Sequence, residues 1–231
     1  MSHSEPQRLT LHDLAVLRTD KFRPLNLAVR ERLLNSRSRC EDAGALAELR
    51  DGTVTFLFTD VDRSTELVKR LQERYGTVLA KHRALLRAAF AERGGAEIDT
   101  QGDAFFVAFT RARAIAAAIA AQRALAEHRW PDEAPVSVRM GLHTGEAYPA
   151  EHGYVGVAVH RAARICTIAH GGQVLLSRST AGIVDDEDIP GVALRDLGEH
   201  RLKDIDRPER ISQLVIEGLP SDFPPLRTID Q

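Results

Sequence analysis

The amino-acid sequence predicts an α+β domain: a mixed sheet with helices packed on it, built on a ferredoxin-like βαββαβ core. Three observations carry that expectation. Val54-Thr55-Phe56-Leu57-Phe58-Thr59 is β-branched and aromatic with apolar residues on both faces, as in a strand buried mid-sheet. Two short strand-like segments flank the tight turn Gln101-Gly102-Asp103 and read as a hairpin. Stretches with helical spacing of apolar residues lie between these segments and after them.

Taken in order, residues 1–50 read as a helical arm. Thr10 opens a capping-box-like start with Asp13 in place of Glu, and Leu11, Leu14 and Leu17 line one face. Pro24 interrupts, and Leu27, Leu33 and Leu34 suggest a second helix. Glu41 to Leu49 is a candidate third. Asp51-Gly52 is a turn signal and opens a domain placed at 51–217.

After the first strand, Ser64 or Thr65 is expected to cap a helix running to about Phe90, with Gly76 marking a bend. Gly94-Gly95 ends it. Glu97 to Thr100 and Ala104 to Phe109 are the hairpin strands. Arg111 to His128 is an Ala-rich helix whose small side chains permit close approach to the sheet. Val136 to His143 is a strand, Val157 to Ala169 a helix, Gln173 to Ser177 a strand and Ser179 to Asp185 a short helix. Leu194 to Leu202 and Ile211 to Ile216 supply late strands. Residues 218–231 form a Pro-rich tail, expected to be loose.

A chain of 231 residues can bury a core without disulfide or metal staples. Its 43% hydrophobic and 28% charged content fits a folded protein rather than a disordered one. The net charge of −2 gives no bulk attraction to nucleic acid or to an anionic membrane. Cys40 and Cys166 make no disulfide framework or metal motif, which suits a reducing compartment. Met1 to Leu9 is polar and carries no signal-peptide core. No apolar run approaches the ~18 residues that span a bilayer. The expectation is a cytoplasmic protein without membrane insertion. There is no Cys/His cluster for zinc, no Ser/His/Asp order and no P-loop.

Chemistry concentrates at carboxylates. Asp60 ends the buried strand and Asp103 lies at the hairpin tip. If those strands are neighbours, both carboxylates emerge at one edge, where they suit Mg²⁺ or Mn²⁺. Two such ions can clamp a triphosphate, and the amides of Asp62 to Thr65, opening a helix, offer a place for phosphate oxygens. The competing reading is structural: Asp in a turn often caps a helix or bonds its own backbone. Asp62 is a third acidic residue nearby, read as a solvent-facing cap.

Six segments, in order, resemble the class III adenylate and guanylate cyclases. Phe58-Thr59-Asp60-Val61-Asp62-Arg63-Ser64-Thr65 resembles their first metal motif, and Thr100-Gln101-Gly102-Asp103-Ala104-Phe105 their second. Arg139-Met140-Gly141-Leu142-His143-Thr144-Gly145 resembles the strand that follows. Val159-His160-Arg161-Ala162-Ala163-Arg164-Ile165 resembles the helix with the transition-state arginine. Gly171 to Ser177 and Leu197 to Lys203 also resemble family segments. The resemblance runs from about Gly52 to Ile216 and implies the class III cyclase fold. It implies conversion of ATP or GTP to a 3′,5′-cyclic nucleotide and pyrophosphate at a homodimer interface. One subunit would hold two Mg²⁺ or Mn²⁺ ions through Asp60, Asp103 and the Val61 carbonyl, and the other would supply Arg164. Positioning and electrostatic stabilisation carry such chemistry.

Three positions depart from the family. Its base-reading Lys falls at Asp99, its base-reading Asp at about Gly153, and the Asn four residues before the arginine at His160. Arg63, where many members have Gly, can contact a phosphate or point to solvent. His160 can hydrogen-bond the ribose in place of Asn, or serve packing alone. Arg161 reads as a surface charge and His143 as structural. Two functions follow: a cyclase with altered or weak substrate preference, or a cyclase-like module that dimerises or senses nucleotide without turnover.

Overall fold

The computed structural model describes residues 52–110, 113–131, 134–150, 153–187 and 189–228. The helical arm expected over residues 1–50 lies outside them.

Strand β1 (Gly52–Val61) is central, as its two-faced apolar pattern requires. It pairs antiparallel with β3 (Ala104–Phe109) on one side and β4 (Val138–Ala150) on the other. β2 (Ala96–Gln101) pairs with β3 as the expected hairpin, with a register shift between Glu97 and Asp99. These four lie in the order β2-β3-β1-β4, the ferredoxin-like arrangement predicted. The sheet continues through β6 (Val174–Ser177), β8 (Glu209–Ile216) and β7 (Val192–His200). Among the described strands only the β4–β6 contact is parallel. A short strand missed in the sequence, β5 (Gly153–Val155), folds back on the far end of β4.

The single helix expected from Ser64 to Phe90 is two. α1 (Ser64–Leu71) and α2 (Tyr75–Glu92) are separated by a 3₁₀ turn over Gln72–Arg74. The break is at Gln72, whose φ of 49° is left-handed, and not at Gly76. Leu67 and Leu71 of α1 and Val78, Leu86 and Phe90 of α2 all reach one core, so the chain turns to keep both apolar faces buried. Neither Ser64 nor Thr65 caps α1. Arg63 holds the N-cap position, also left-handed at φ 53°, without a side-chain capping bond.

The sheet carries a core on each face. On one, α1, α2, α3 (Arg113–Glu127) and α5 (Arg178–Asp186) cover Leu57, Val107, Leu142 and Leu176. On the other, Ile165 and Ile168 of α4 (Val157–Ile168) pack on Leu175 and Ile211. Gly141 makes the α4 approach possible, because a Cβ there would lie 2.2 Å from the Cys166 amide nitrogen.

The segment after β8 is not the loose tail its composition suggests. Leu226 is buried in the α4-side core, Gln213 Nε2 donates to the Ser221 carbonyl at 2.6 Å, and His170 Nε2 lies 3.0 Å from the Pro225 carbonyl. One buried leucine and a few tied carbonyls outweigh the local proline content.

Candidate nucleotide and metal site

The register brings the predicted metal ligands to one edge. Thr59 pairs with Phe105, so Asp60, one residue further along β1, and Asp103, two residues before Phe105, lie at the same end of adjacent strands. Gly102, at φ 56°, makes the hairpin turn that carries Asp103. Arg83 of α2 grips that turn, donating from Nε to the Gly102 carbonyl at 2.9 Å. Tyr75, at the start of α2, faces the same edge. Burial raises its phenol pKa first, then the Asp103 carboxylate, with Asp60 adding a smaller push against Arg83.

Asp60 is 3% exposed and sits directly across from Arg139 of β4. Arg139 donates to Asp60 Oδ2 from Nε at 3.0 Å and from Nη2, and reaches the Thr167 carbonyl of α4 from Nη1 at 3.2 Å. The partner of Arg139 is 79 residues away, beyond any local signal in its own segment.

Asp62 is neither free nor a solvent-facing cap. Its backbone amide donates to the Ser137 carbonyl at 2.8 Å, and its carboxylate accepts two bonds from Arg227, at 2.9 and 3.1 Å. Burial pushes its pKa up, but the Arg227 bonds and charge, aided by Arg139 and the Gly171 amide, hold it below the usual carboxylate range.

Arg164 projects from α4 and is 7% exposed. Its Nη2 pairs with Asp204, a residue in the left-handed region at φ 62°. Burial draws the guanidinium pKa down against the opposing pull of Asp204. His160 lies one turn earlier on α4; burial and then the Arg164 charge lower its pKa, so it is neutral at pH 7. Arg161, expected as a surface charge, pairs with Glu209 at 3.2 Å.

Gly153 packs against the neighbour of Asp99. Ile98, beside Asp99, has Cγ2 only 2.5 Å from where a Cβ on Gly153 would stand. Asp99 accepts the Thr100 amide at 2.8 Å and the Gln101 side-chain amide at 3.0 Å.

His143 belongs to a buried hydroxyl network. Its Nδ1 lies 2.8 Å from Ser177 Oγ, and Thr144 links Thr55 to Thr180. This supports the structural reading of His143. A cleft of about 670 Å³ opens beside it, lined by His143, Glu146, Arg161, Arg178 and Glu209. None of the predicted site residues lines that cleft.

The two carboxylates at that end are hard oxygen donors, a chemistry that suits Mg²⁺ or Mn²⁺. Among the described residues no cluster of three or more His, Cys, Asp or Glu could hold a metal by itself.

Fold and site define a class. The chain matches the Adenylate and Guanylate cyclase catalytic domain over residues 47–216 and belongs to that family. An uncharacterized protein of Mycobacterium tuberculosis is 39% identical over 180 residues, covering 77% of this chain and 61% of its own length. The chain therefore spans about three-fifths of that relative. An adenylate cyclase of Podospora anserina is 31% identical across 73% of this chain, which corresponds to 10% of that protein. Among solved structures, an adenylate cyclase from Trypanosoma brucei in its monomeric state superposes with a TM-score of 0.71 at 25% identity, over 81% of this chain and all of the other. An adenylate/guanylate cyclase/hydrolase from Silicibacter pomeroyi gives 0.61 at 27% identity, over 73% of this chain and 99% of the other. No helix among the described residues is long and apolar enough to cross a membrane.

Proposed function

We propose that this domain is a nucleotide cyclase that converts ATP or GTP to the 3′,5′-cyclic nucleotide and pyrophosphate as a homodimer. The observation that carries the reading is the convergence of Asp60 and Asp103 at one edge of adjacent strands, beside the start of α1. Asp60, Asp103 and the Val61 carbonyl would hold Mg²⁺ or Mn²⁺, two ions in all, which would neutralise phosphate charge and polarise the phosphoryl group.

The ribose 3′ oxygen attacks the α-phosphorus, the bond to the β-phosphate oxygen breaks, and the 3′ proton leaves to solvent. The amides from Arg63 to Thr65, with the Arg63 guanidinium, receive β- and γ-phosphate oxygens, the Asp62 amide being already bonded to the Ser137 carbonyl. Arg164 of the partner subunit stabilises charge on the phosphate in flight. Neutral His160 orients the ribose through a ring nitrogen. Asp99 accepts only, so it favours a base that presents an amino or N–H group to it.

Self-association is supported by exposed apolar side chains on the β4–β5 hairpin and at the start of α4: Tyr148, Val155 and Val157 are 66%, 41% and 62% exposed, and the first two are cross-strand partners. Such a patch suits burial against a second copy.

A second reading, a dimerising or nucleotide-sensing module without turnover, draws on Gly153. Its φ of 128° and the crowding by Ile98 leave no room for the family Asp. The two are separated by incubating the protein with ATP or GTP and Mg²⁺ or Mn²⁺, and quantifying cyclic nucleotide by mass spectrometry beside Asp103→Asn. Product that disappears in the variant is expected. No product above the variant, from folded and dimeric protein, would overturn the enzyme reading.

A further inference from the structure

The chain after β8 runs back across the molecule as a strap. Arg195 Nη1 holds the Ser221 carbonyl at 2.9 Å and the Asp222 carboxylate at 3.0 Å. Leu226 is 5% exposed within the α4-side core. The Arg227 amide donates to the Ile168 carbonyl at 3.1 Å, at the end of α4. These anchors deliver the Arg227 guanidinium to both oxygens of Asp62 in a fork-to-fork pair. The strap lies outside the family match, which ends at residue 216.

Asp62 follows Asp60 and Val61 and immediately precedes the α1 N-terminus. It is held from three sides, by the Ser137 carbonyl on its amide, by the Gly171 amide on its carboxylate, and by Arg227. Gly171 is required there, since a Cβ on it would stand 2.9 Å from Asp62 Cβ. Arg139 adds a second guanidinium to the neighbourhood, so Asp60 and Asp62 face Arg139 and Arg227 in a neutral group of four charges. An uncompensated carboxylate at position 62 would repel a triphosphate arriving at the adjacent amides.

We propose that Arg227 is a positioning residue of the phosphate-binding loop: the strap carries it to Asp62, where it fixes the loop and cancels a charge that would otherwise oppose a nucleoside triphosphate. The loop geometry stands on its own contacts, while the triphosphate role rests on the cyclase reading above. Arg227 acts through Asp62 and touches no reacting atom.

Two measurements test it on the full chain: amide hydrogen exchange resolved at Asp62, Glu66 and Leu67, and calorimetric binding of a 3′-deoxynucleoside triphosphate with Mn²⁺. The three amides donate to Ser137 and Arg63 carbonyls in the wild type, so their protection reports the loop. Arg227→Ala should speed exchange at Asp62 about tenfold and weaken triphosphate binding about three- to tenfold, the scale of a partly exposed bidentate pair. Adding Asp62→Asn to Arg227→Ala should return affinity to within about twofold of wild type while exchange stays fast, because it removes the stray charge without restoring the anchor. Unchanged protection in Arg227→Ala, or protection lost evenly through the sheet, overturns the anchoring. A double variant that binds no better than the single overturns the charge role. Wild-type protein that binds no triphosphate overturns the cyclase reading instead, and the exchange difference still decides the strap.

Discussion

Asp60→Asn should unfold this domain more readily than Asp103→Asn does, although both positions are predicted metal ligands. The reason is Arg139. Its side chain and that of Asp60 are 7% and 5% exposed, so solvent does little to screen either charge. Asn keeps one acceptor oxygen but removes the counter-charge, leaving a buried guanidinium with the Thr167 carbonyl as its other hydrogen-bond partner. Breaking a buried pair from one side costs about 3–5 kcal/mol when the partner is left alone, and about 2–4 kcal/mol where a neutral acceptor remains. At about 2–4 °C per kcal/mol for a domain of this size, the melting point should fall by about 5–15 °C. Asp103 lies half-buried in a turn whose geometry depends on Gly102 and on the grip of Arg83. Asp103→Asn should cost less than about 1 kcal/mol. Urea unfolding of both variants checks this, with the slopes compared to exclude a changed unfolded state. Equal midpoints for the two variants would refute the reasoning. Loss of activity in Asp60→Asn would otherwise be misread as loss of a metal ligand, so Asp103→Asn is the cleaner probe of chemistry.

Burial holds His82 and His143 at a pKa of about 4, below an unfolded value of about 6.5. The unfolded chain therefore takes up protons first, and each histidine should remove up to about 3 kcal/mol as pH falls from about 6.5 to about 4, with no further loss below that. Urea midpoints at pH 7 and 5 should differ less in His82→Leu than in wild type, and an identical difference would exclude His82 as a source. Gly141→Ala should cost more than about 4 kcal/mol or give no soluble protein, because its Cβ meets Cys166 backbone at 2.2 and 2.6 Å rather than a movable side-chain tip. A cooperative unfolding curve near wild type would contradict that. Asp99→Lys with Gly153→Asp puts the family side chains back in place. It should still not raise ATP turnover above wild type, and should cost about 2–3 kcal/mol through strain at φ 128° and collision with Ile98, read by thermal unfolding and a turnover assay. Recovered adenine preference would show that the hairpin yields.

The fold was legible where pattern and period agree. β1 announces itself by apolar residues on both faces, and the Gln101-Gly102-Asp103 turn by its glycine, so the ferredoxin-like half could be read in order. The helix break at Gln72 could not, because the apolar spacing continues through it and the left-handed residue is a glutamine rather than a glycine. β5 is three residues long, beside Pro149 and beginning at Gly153, too short for periodicity. At the candidate site, residues set by motif position were visible, and those set by long-range pairs were not. Arg139, Arg83, Asp204 and Arg227 reach their partners across 79, 19, 40 and 165 residues, and nothing in their flanking sequence marks those partners. Asp62 was misread as a solvent-facing cap for the same reason.

The pairing of Arg139 with Asp60 changes what the persistence of Asp60 means. A carboxylate retained at the end of a buried strand invites a functional explanation, but here it also balances a guanidinium that would otherwise be stranded. A non-catalytic descendant that kept Arg139 would have reason to keep Asp60. A buried pair is itself weak evidence for stability, since apolar residues of similar volume can replace both partners without loss. Arg164 poses the complementary problem. It is described as the arginine a partner subunit would use, yet within its own chain it is buried and paired with Asp204 at the left-handed position. If Asp204 holds the guanidinium at a fixed angle, the pair orients it toward a partner site; if the pair closes only in the lone subunit, Arg164 must break it on assembly. The first case makes Asp204 part of the machinery and the second makes it a brake, so Asp204→Asn lowers turnover in one and raises it in the other. The sign of that change separates an arginine kept ready for a partner from one retired into the core.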